Sequence, residues 1–374
     1  MDFSLSEEQE AIRDLAAHIF EDQATVERVK EVEGGADRFD RVLWSELAKA
    51  NLLGIALPED VGGSGFGIIE LCLLLEQQGR RVAPVPLLPT LVLGALSIAA
   101  HGTDEQRAAW LPDVVAGEVV LTAALAEPGA VDPTRPRATA TRDGTGWRLD
   151  GTKLSVPAAH IAARVLVPAQ TDGGVELFLI DPAGPGVEQQ RLETTDREVQ
   201  CHLVLSGAPG ELLGSPGDGE RTGERTVGRL LDRALVGLCA LQVGVAEEAL
   251  RITAAYTSTR HQFGKPLSTF QGVALKAGDA YIDTEAMRAT MWQAAWRLAE
   301  GLDATTEVMV AKWWAAEGGQ RVVHITQHLH GGIGADIDYP VHRYFLWGKQ
   351  IEVTLGGATQ QLARLGGAIA AGAR

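Results

Sequence analysis

The chain has 374 residues, 45% of them hydrophobic and 22% charged, enough for one large core or two to three modest ones. A formal net charge of −16 excludes a nucleic-acid partner, which needs clustered Lys and Arg. Cys72, Cys201 and Cys239 stand far apart with no C-x-x-C spacing, the opening Met1-Asp2-Phe3-Ser4 is acidic rather than basic and apolar, and no run reaches the ~18 apolar residues of a membrane span, so a cytoplasmic protein with no disulfide, metal or membrane segment is expected.

Residues 1–118 read as helical. Ser6 with Gln9 three residues on makes a capping-box start, and Ile12, Leu15, Ala16 and Ile19 follow at helical spacing. Trp44-Ser45-Glu46-Leu47-Ala48 leads into the loop Pro58-Glu59-Asp60-Val61-Gly62-Gly63-Ser64-Gly65, and a new helix carries Ile69 to Leu75. Residues 119–223 change to short β-rich runs: Trp147-Arg148-Leu149, Val165-Leu166-Val167, Leu177-Phe178-Leu179-Ile180 and Leu203-Val204-Leu205. Asp143-Gly144 and Asp172-Gly173-Gly174 turn the chain between them, and the polar loop Gly214-Ser215-Pro216-Gly217-Asp218-Gly219-Glu220 closes the segment.

Residues 224–374 return to long helices. Leu231, Ala234, Leu235, Leu238, Leu241, Val245, Ala249 and Ile252 recur every three or four residues up to Thr259. Further helices are expected at 270–300, 304–329, 341–354 and 358–371, with glycine breaks at Gly264, Gly301 and Gly331 to Gly334. The expected architecture is mainly α with a central β domain, in three parts: 1–118, 119–223 and 224–374.

The common nucleotide cradles are missing: no G-x-G-x-x-G follows a strand and no G-x-x-x-x-G-K-[ST] is present. His328 and His330 form a lone i, i+2 pair, a poor metal motif, and no serine sits in a G-x-S-x-G elbow. At the end of the long helix, Arg260-His261-Gln262-Phe263-Gly264-Lys265-Pro266-Leu267 precedes Phe270-Gln271. On a helix, Arg260 and Phe263 would share one face, offering a bidentate cation for a pyrophosphate with an apolar ring beside it. The alternative is an arginine that only caps a helix C-terminus. In His328-Leu329-His330-Gly331-Gly332-Ile333-Gly334 the glycines allow backbone N–H groups to approach a phosphate, or else merely turn the chain.

Taken in order, these segments resemble the acyl-CoA dehydrogenase family. The first is similar to its R-x-Q-F-G-[KR]-P-[IL]…F-Q signature and the second, with Tyr339-Pro340-Val341-His342-Arg343, to its Q-x-x-G-G-x-G…Y-P…R motif. Ala126-Glu127-Pro128-Gly129-Ala130 resembles the family's T-E-P-G-A stretch, Gly151-Thr152-Lys153 its G-x-K turn, and Pro58 to Gly65 its P-E-x-x-G-G-x-G loop. The resemblance covers essentially the whole chain. It implies an N-terminal helical domain, a β-barrel-like middle domain, a C-terminal four-helix bundle and FAD as cofactor. It also implies that Arg260, Gln262, Phe263, Gln271, His328, Gly331 and Gly332 hold an FAD belonging mainly to a neighbouring subunit.

The family reaction removes the α-hydrogen of an acyl-CoA thioester with a glutamate and passes the β-hydrogen as hydride to the flavin, giving a 2-enoyl-CoA. At the two positions where family members place that glutamate, this chain has Leu355 or Gly356, by register, and Ala234; none can take a proton. The family's substrate-facing arginine falls at Leu235. Asp232 and Glu352 are the nearest carboxylates. Asp232 is two residues away, about 200° around a helix.

Ala126 and Asp132, or its neighbour Val131, replace the flavin-contacting Thr and Ser, and Ser155-Val156-Pro157 replaces an aromatic-x-Thr. An emptied flavin-ring side beside an intact nucleotide grip resembles the non-catalytic subunit type of actinobacterial heterotetrameric acyl-CoA dehydrogenases of steroid side-chain breakdown. So do the Tyr339 to Leu346 stretch and the ending from Leu355 to Leu362. The implied partner is a second dehydrogenase-like subunit in an α2β2 tetramer. A self-sufficient homotetramer using Asp232 or Glu352, and a flavin-free structural or CoA-binding homologue, are the alternatives.

Overall fold

The computed structural model describes residues 4–130, 132–144, 146–214 and 223–372; Met1 to Phe3, Val131 and the loop from Ser215 to Glu220 lie outside them. In chain order the helices α1 to α6 are Glu7–Gln23, Val26–Glu33, Arg41–Lys49, Ile68–Arg81, Leu96–His101 and Asp104–Val115. Strands β1 to β7 are Leu121–Ala123, Thr139–Asp143, Gly146–Pro157, Arg164–Thr171, Gly174–Ile180, Val187–Glu193 and Val199–Leu212. Then follow α7 (Gly223–Thr259), the short strands β8 (His261–Gln262) and β9 (Lys265–Pro266), and helices α8 to α11: Gln271–Ala299, Thr305–His330, Val341–Val353 and Ala358–Ala370. The helix, sheet, helix order expected from the sequence is present.

Two compact units alternate along the chain, one of residues 32–67 and 84–234, the other of residues 1–31, 68–83 and 235–374. The first is built on a closed sheet. Its strands pair β4-β2-β3-β7-β5, and β5 pairs back onto β4, with β1 added beside β4 and β6 beside β7. Closure makes an apolar interior filled by Leu149, Val165, Val167, Phe178 and Leu203. Strand β6 adds only to the rim, which is why its polar sequence Val-Glu-Gln-Gln-Arg-Leu-Glu escapes a hydrophobic reading. A π-helical turn over Leu88–Ala95 packs on β1; a side chain at Gly94 would strike the Leu121 Cβ at 2.4 Å. The Pro58 to Gly65 motif is a packing device here, since a Cβ on Gly63 would lie 2.2 Å from the Leu57 carbonyl.

The second unit is helical. Helix α1 begins with the expected reciprocal cap between Ser6 and Gln9. It buries Ala16 and Phe20, whereas Leu15, placed on the apolar face by spacing, is 43% exposed. Its helices approach one another through glycines. Where α4 crosses α7, a Cβ on Gly79 would stand 2.2 Å from the Leu241 carbonyl oxygen and one on Gly244 2.0 Å from that of Glu76. Gly319 of α9 likewise makes room for the fully buried Gln242 of α7. Val243, Ala246, Ala280, Met287 and Val322 form the core of the bundle. The outer side of α8 leaves Leu275, Tyr281 and Ile282 exposed, and α11 does the same with Leu362 and Ile369. No helix among the described residues is long and apolar enough to cross a membrane.

Candidate functional site

Helix α7 ends at Thr259, and the Arg260 N–H still closes its last turn on the Tyr256 carbonyl at 2.8 Å. The chain then reverses through β8 and β9, with His261 opposite Pro266 and Gln262 opposite Lys265. Phe263 and Gly264 are the two loop residues, both with positive φ (53° and 80°), the signature of a type I′ hairpin turn. This corrects the sequence reading: Phe263 is not on the helix face of Arg260, because the hairpin has already replaced the helix. Its ring is 92% exposed, the most exposed of the large apolar side chains among the described residues, and meets the Phe270 ring edge-on at 6.2 Å. An exposed aromatic held at positive φ is strained twice over, by its backbone and by its contact with water. The Arg260 guanidinium makes no hydrogen bond or ion pair among the described residues, and Gln262 and Gln271 are also exposed.

His328 is exposed on the last turn of α9, and Gly331, at φ 63° and ψ −140°, ends that helix in a conformation reserved for glycine. A Cβ on Gly331 or Gly332 would meet nothing within 4 Å, so no packing requires Gly332 to be small. His330 was not singled out as a binding residue in the sequence, yet it fixes this turn. Its Nδ1 lies 2.8 Å from the Thr326 carbonyl, which can only accept, so Nδ1 carries the proton and Nε2 accepts from the Tyr339 hydroxyl at 3.2 Å. The ring stacks on Tyr256 at 4.5 Å, and burial holds its pKa below the usual histidine value. Tyr256, one turn before Arg260, is the sequence signal that could have revealed the cluster.

The loop after α10 carries the expected base position. Leu355 (φ 54°) and Gly356 (φ 103°) are held by Gln361, fully buried, whose Nε2 donates to both their carbonyls at 3.1 and 3.3 Å. From below, the fully buried Lys312 donates to the carbonyls of Ile351 and Glu352 at 2.9 and 3.1 Å, closing the end of α10. Desolvation brings its pKa down to about 8, against the opposing pull of Cys239 and Glu352. The Glu352 carboxylate itself pairs with Lys349 on its own helix. In the other unit, Ala234 is fully buried and Asp232 half-buried on the first turns of α7.

Two further motif fragments are one structural device. Glu127 accepts the Arg137 and Ala138 amides and the ammonium of Lys153, whose Nζ also donates to the Pro168 carbonyl at 2.8 Å. Both side chains are withdrawn from water, and burial pulls the Lys153 pKa down while Glu127 opposes it. Nearby donors are already committed. Asp132 accepts from the Thr134 amide and hydroxyl at 3.0 and 2.8 Å, the Ser155 amide (φ 49°) donates to His202 Nδ1 at 3.1 Å, and Pro157 has no N–H. No cluster of three or more metal-ligating side chains occurs among the described residues.

Comparison with known proteins agrees with this construction. Family profiles match as "Acyl-CoA dehydrogenase, N-terminal domain" over residues 6–118 and "Acyl-CoA dehydrogenase, C-terminal domain" over residues 222–368. The chain is 40% identical to "Acyl-CoA dehydrogenase FadE27" of Mycobacterium tuberculosis, over 98% of both proteins, and 33% identical to FadE28 of the same organism, also over 98% of both. Among solved structures, one chain of the "Tcur3481-Tcur3483 steroid ACAD G363A variant" is 52% identical with a TM-score of 0.92, over 99% of both chains. The ChsE4-ChsE5 complex from Mycobacterium tuberculosis contains a chain 39% identical with a TM-score of 0.93, again over 99% of both. By fold, motif and sequence, the chain belongs to the acyl-CoA dehydrogenase family.

Proposed function

We propose that the chain is the base-lacking subunit of an FAD-dependent acyl-CoA dehydrogenase and completes a partner subunit's FAD site within an α2β2 tetramer. Its substrate would be a bulky CoA thioester such as a sterol side chain, and its compartment the cytoplasm. The carrying observation is the Arg260 guanidinium, uncommitted among the described residues, beside a 92% exposed Phe263 ring, in a chain whose base positions hold Ala234, Leu355 and Gly356. These groups fit the nucleotide end of an FAD. Arg260 offers a bidentate grip for a pyrophosphate, Phe263 an apolar ring for what lies beside it, and Gly331 and Gly332 leave open space for close backbone approach. His330 supports them by holding the turn.

When bound, FAD supplies the acceptor for the β-hydrogen of the acyl chain. This chain's own residues would bind and orient the cofactor rather than move the α-proton, since Glu352 is held by Lys349 and nothing at Leu355 or Gly356 titrates. The exposed apolar residues of α8 and α11 suit an assembled protein. Two of the similar structures bear paired subunit names, which favours a two-chain assembly here as well. The three cysteines are free and buried, in keeping with a reducing compartment.

The test is to purify the chain alone and with a co-expressed base-bearing subunit, measuring flavin per subunit and dehydrogenation with an artificial acceptor. Arg260→Met should strip flavin from the complex while Glu352→Gln and Asp232→Asn leave its rate unchanged. Full dehydrogenase activity from this chain alone would overturn the proposal.

A further inference from the structure

Two to three turns up α7 from the hairpin, α1, α4 and α7 enclose a recess of about 390 Å³ that the proposed function does not use. Its lining brings together four arginines, Arg13, Arg80, Arg81 and Arg251, with three carboxylates, Asp14, Glu21 and Glu248, and Glu247 stands behind Arg80.

The arginines are not equally engaged. Arg251 grips the buried Glu248 with two hydrogen bonds of 2.8 and 2.7 Å, Arg81 holds Glu21 at 2.7 Å, and Arg13 lies 2.8 Å from Asp14. Arg80 is different. Its guanidinium reaches Glu247 and Glu248 only at 3.4 and 3.9 Å and makes no side-chain hydrogen bond among the described residues. One turn earlier on the same face of α4, Gln77 is 4% exposed, lines the recess, and its amide also makes no hydrogen bond among the described residues. The Gln77 amide therefore opens to the recess rather than to a protein partner, and a guanidinium carries five donors in a fixed fork.

Both side chains stand on a rigid base. The glycine crossing at Gly79 and Gly244 locks the end of α4 against α7, and the Tyr344 hydroxyl donates to the Arg80 carbonyl at 2.8 Å. Donors fixed in advance lose little entropy when a ligand arrives.

We infer that this recess is a binding site for a small organic oxyanion, a ligand carrying phosphate or carboxylate groups, recognised by the Arg80 fork together with the Gln77 amide. The volume lies at the lower end of small-molecule pockets, roughly 300 to 1,000 Å³, and exceeds what a single inorganic ion needs. A concave polar site suits a free small molecule, with Arg13, Arg81 and Arg251 offering their remaining N–H groups to its outer charges.

The site would be probed by isothermal titration of the purified protein with inorganic pyrophosphate and, separately, with citrate, at low ionic strength. Saturable binding of one or both is expected, and whichever binds more tightly identifies the phosphate or the carboxylate source. Arg80→Met and Gln77→Leu should each weaken that binding at least ten-fold, whereas Arg260→Met, at the separate hairpin, should leave this binding component in place. Thermal melts of the variants check their folding. Gln77→Leu removes an unpaired amide at nearly constant volume, so it keeps the test open should Arg80→Met fail to fold. No binding of either probe at millimolar concentration, or equal affinity in parent and both α4 variants, would overturn the inference.

Discussion

Lys312→Met is the perturbation whose size the structure specifies most closely. In the folded protein the Lys312 ammonium is sealed inside the bundle and loses its proton near pH 8, against an ordinary value of 10.5. Between those two pH values the unfolded chain holds a proton that the folded chain has released. Stability therefore rises with pH across that window and is flat below it. The full gain is roughly 3 kcal/mol, of which about 1.4 kcal/mol falls between pH 7 and 9.

Cys239 opposes the effect, because burial pushes its thiol up to about 12 and its unfolded form ionises first as pH rises past 9. Placing Lys312→Met in a Cys239→Ala background, and comparing it with Cys239→Ala alone, separates the two. Urea unfolding at pH 7, 8 and 9 should show the protein that keeps its lysine gaining at least about 1.4 kcal/mol over the methionine variant across that span, since removing Cys239 takes away one of the influences that hold the lysine pKa up. A difference that stays constant with pH would mean that Lys312 is hydrated when charged, and that the end of α10 is not capped by a desolvated ammonium.

Three other outcomes are expected. Glu127→Gln leaves the Lys153 ammonium buried without a counter-charge and should cost about 3–5 kcal/mol by denaturant unfolding; Lys153→Met should cost less, since Glu127 keeps its two amide donors. Gly244→Ala drives a methyl into the Glu76 carbonyl and the Arg80 amide, for a loss of about 3 kcal/mol or failure to fold, read as a fall in thermal midpoint. Phe263→Asn suits the positive φ of the hairpin turn and should stabilise the isolated chain by about 1 kcal/mol, while the assembled protein retains less flavin in gel filtration.

The long helices were legible from their length and apolar spacing, although α7 is buried on every face between Ala234 and Ala246. On α7, Leu231 through Ala249 recur at helical spacing and every one of those named is buried. Ser6 with Gln9 marked the start of α1 for the same local reason. What periodicity hid was decided by distant neighbours. Strand β6 lies on the rim of a closed sheet and needs no apolar face, and the π-helical turn over Leu88–Ala95 depends on Gly94 meeting β1.

At the site, the motif residues were readable but their geometry was not. Spacing places Phe263 on a helix face, because it cannot show that Phe263 and Gly264 form the turn of a hairpin. Glu127 and Lys153 stand in separate sequence motifs, with no local signal that one carboxylate and one ammonium form a single buried pair. His330 went unrecognised for the same reason: its partners, Thr326, Tyr339 and Tyr256, come from three stretches of chain.

The unbroken run of α7 acts as a ruler. Leu235, where the family resemblance expects a substrate-facing arginine, and Arg260, one residue past the end of the helix, are 25 residues apart, about 38 Å at 1.5 Å per residue. A single dinucleotide cannot stretch between them, so on the proposed reading Arg260 serves a different cofactor from any held beside Leu235. On the proposed reading, an emptied near end costs the assembly its own flavin but not the one clasped at the far end, and a complete tetramer should carry one flavin for every two chains.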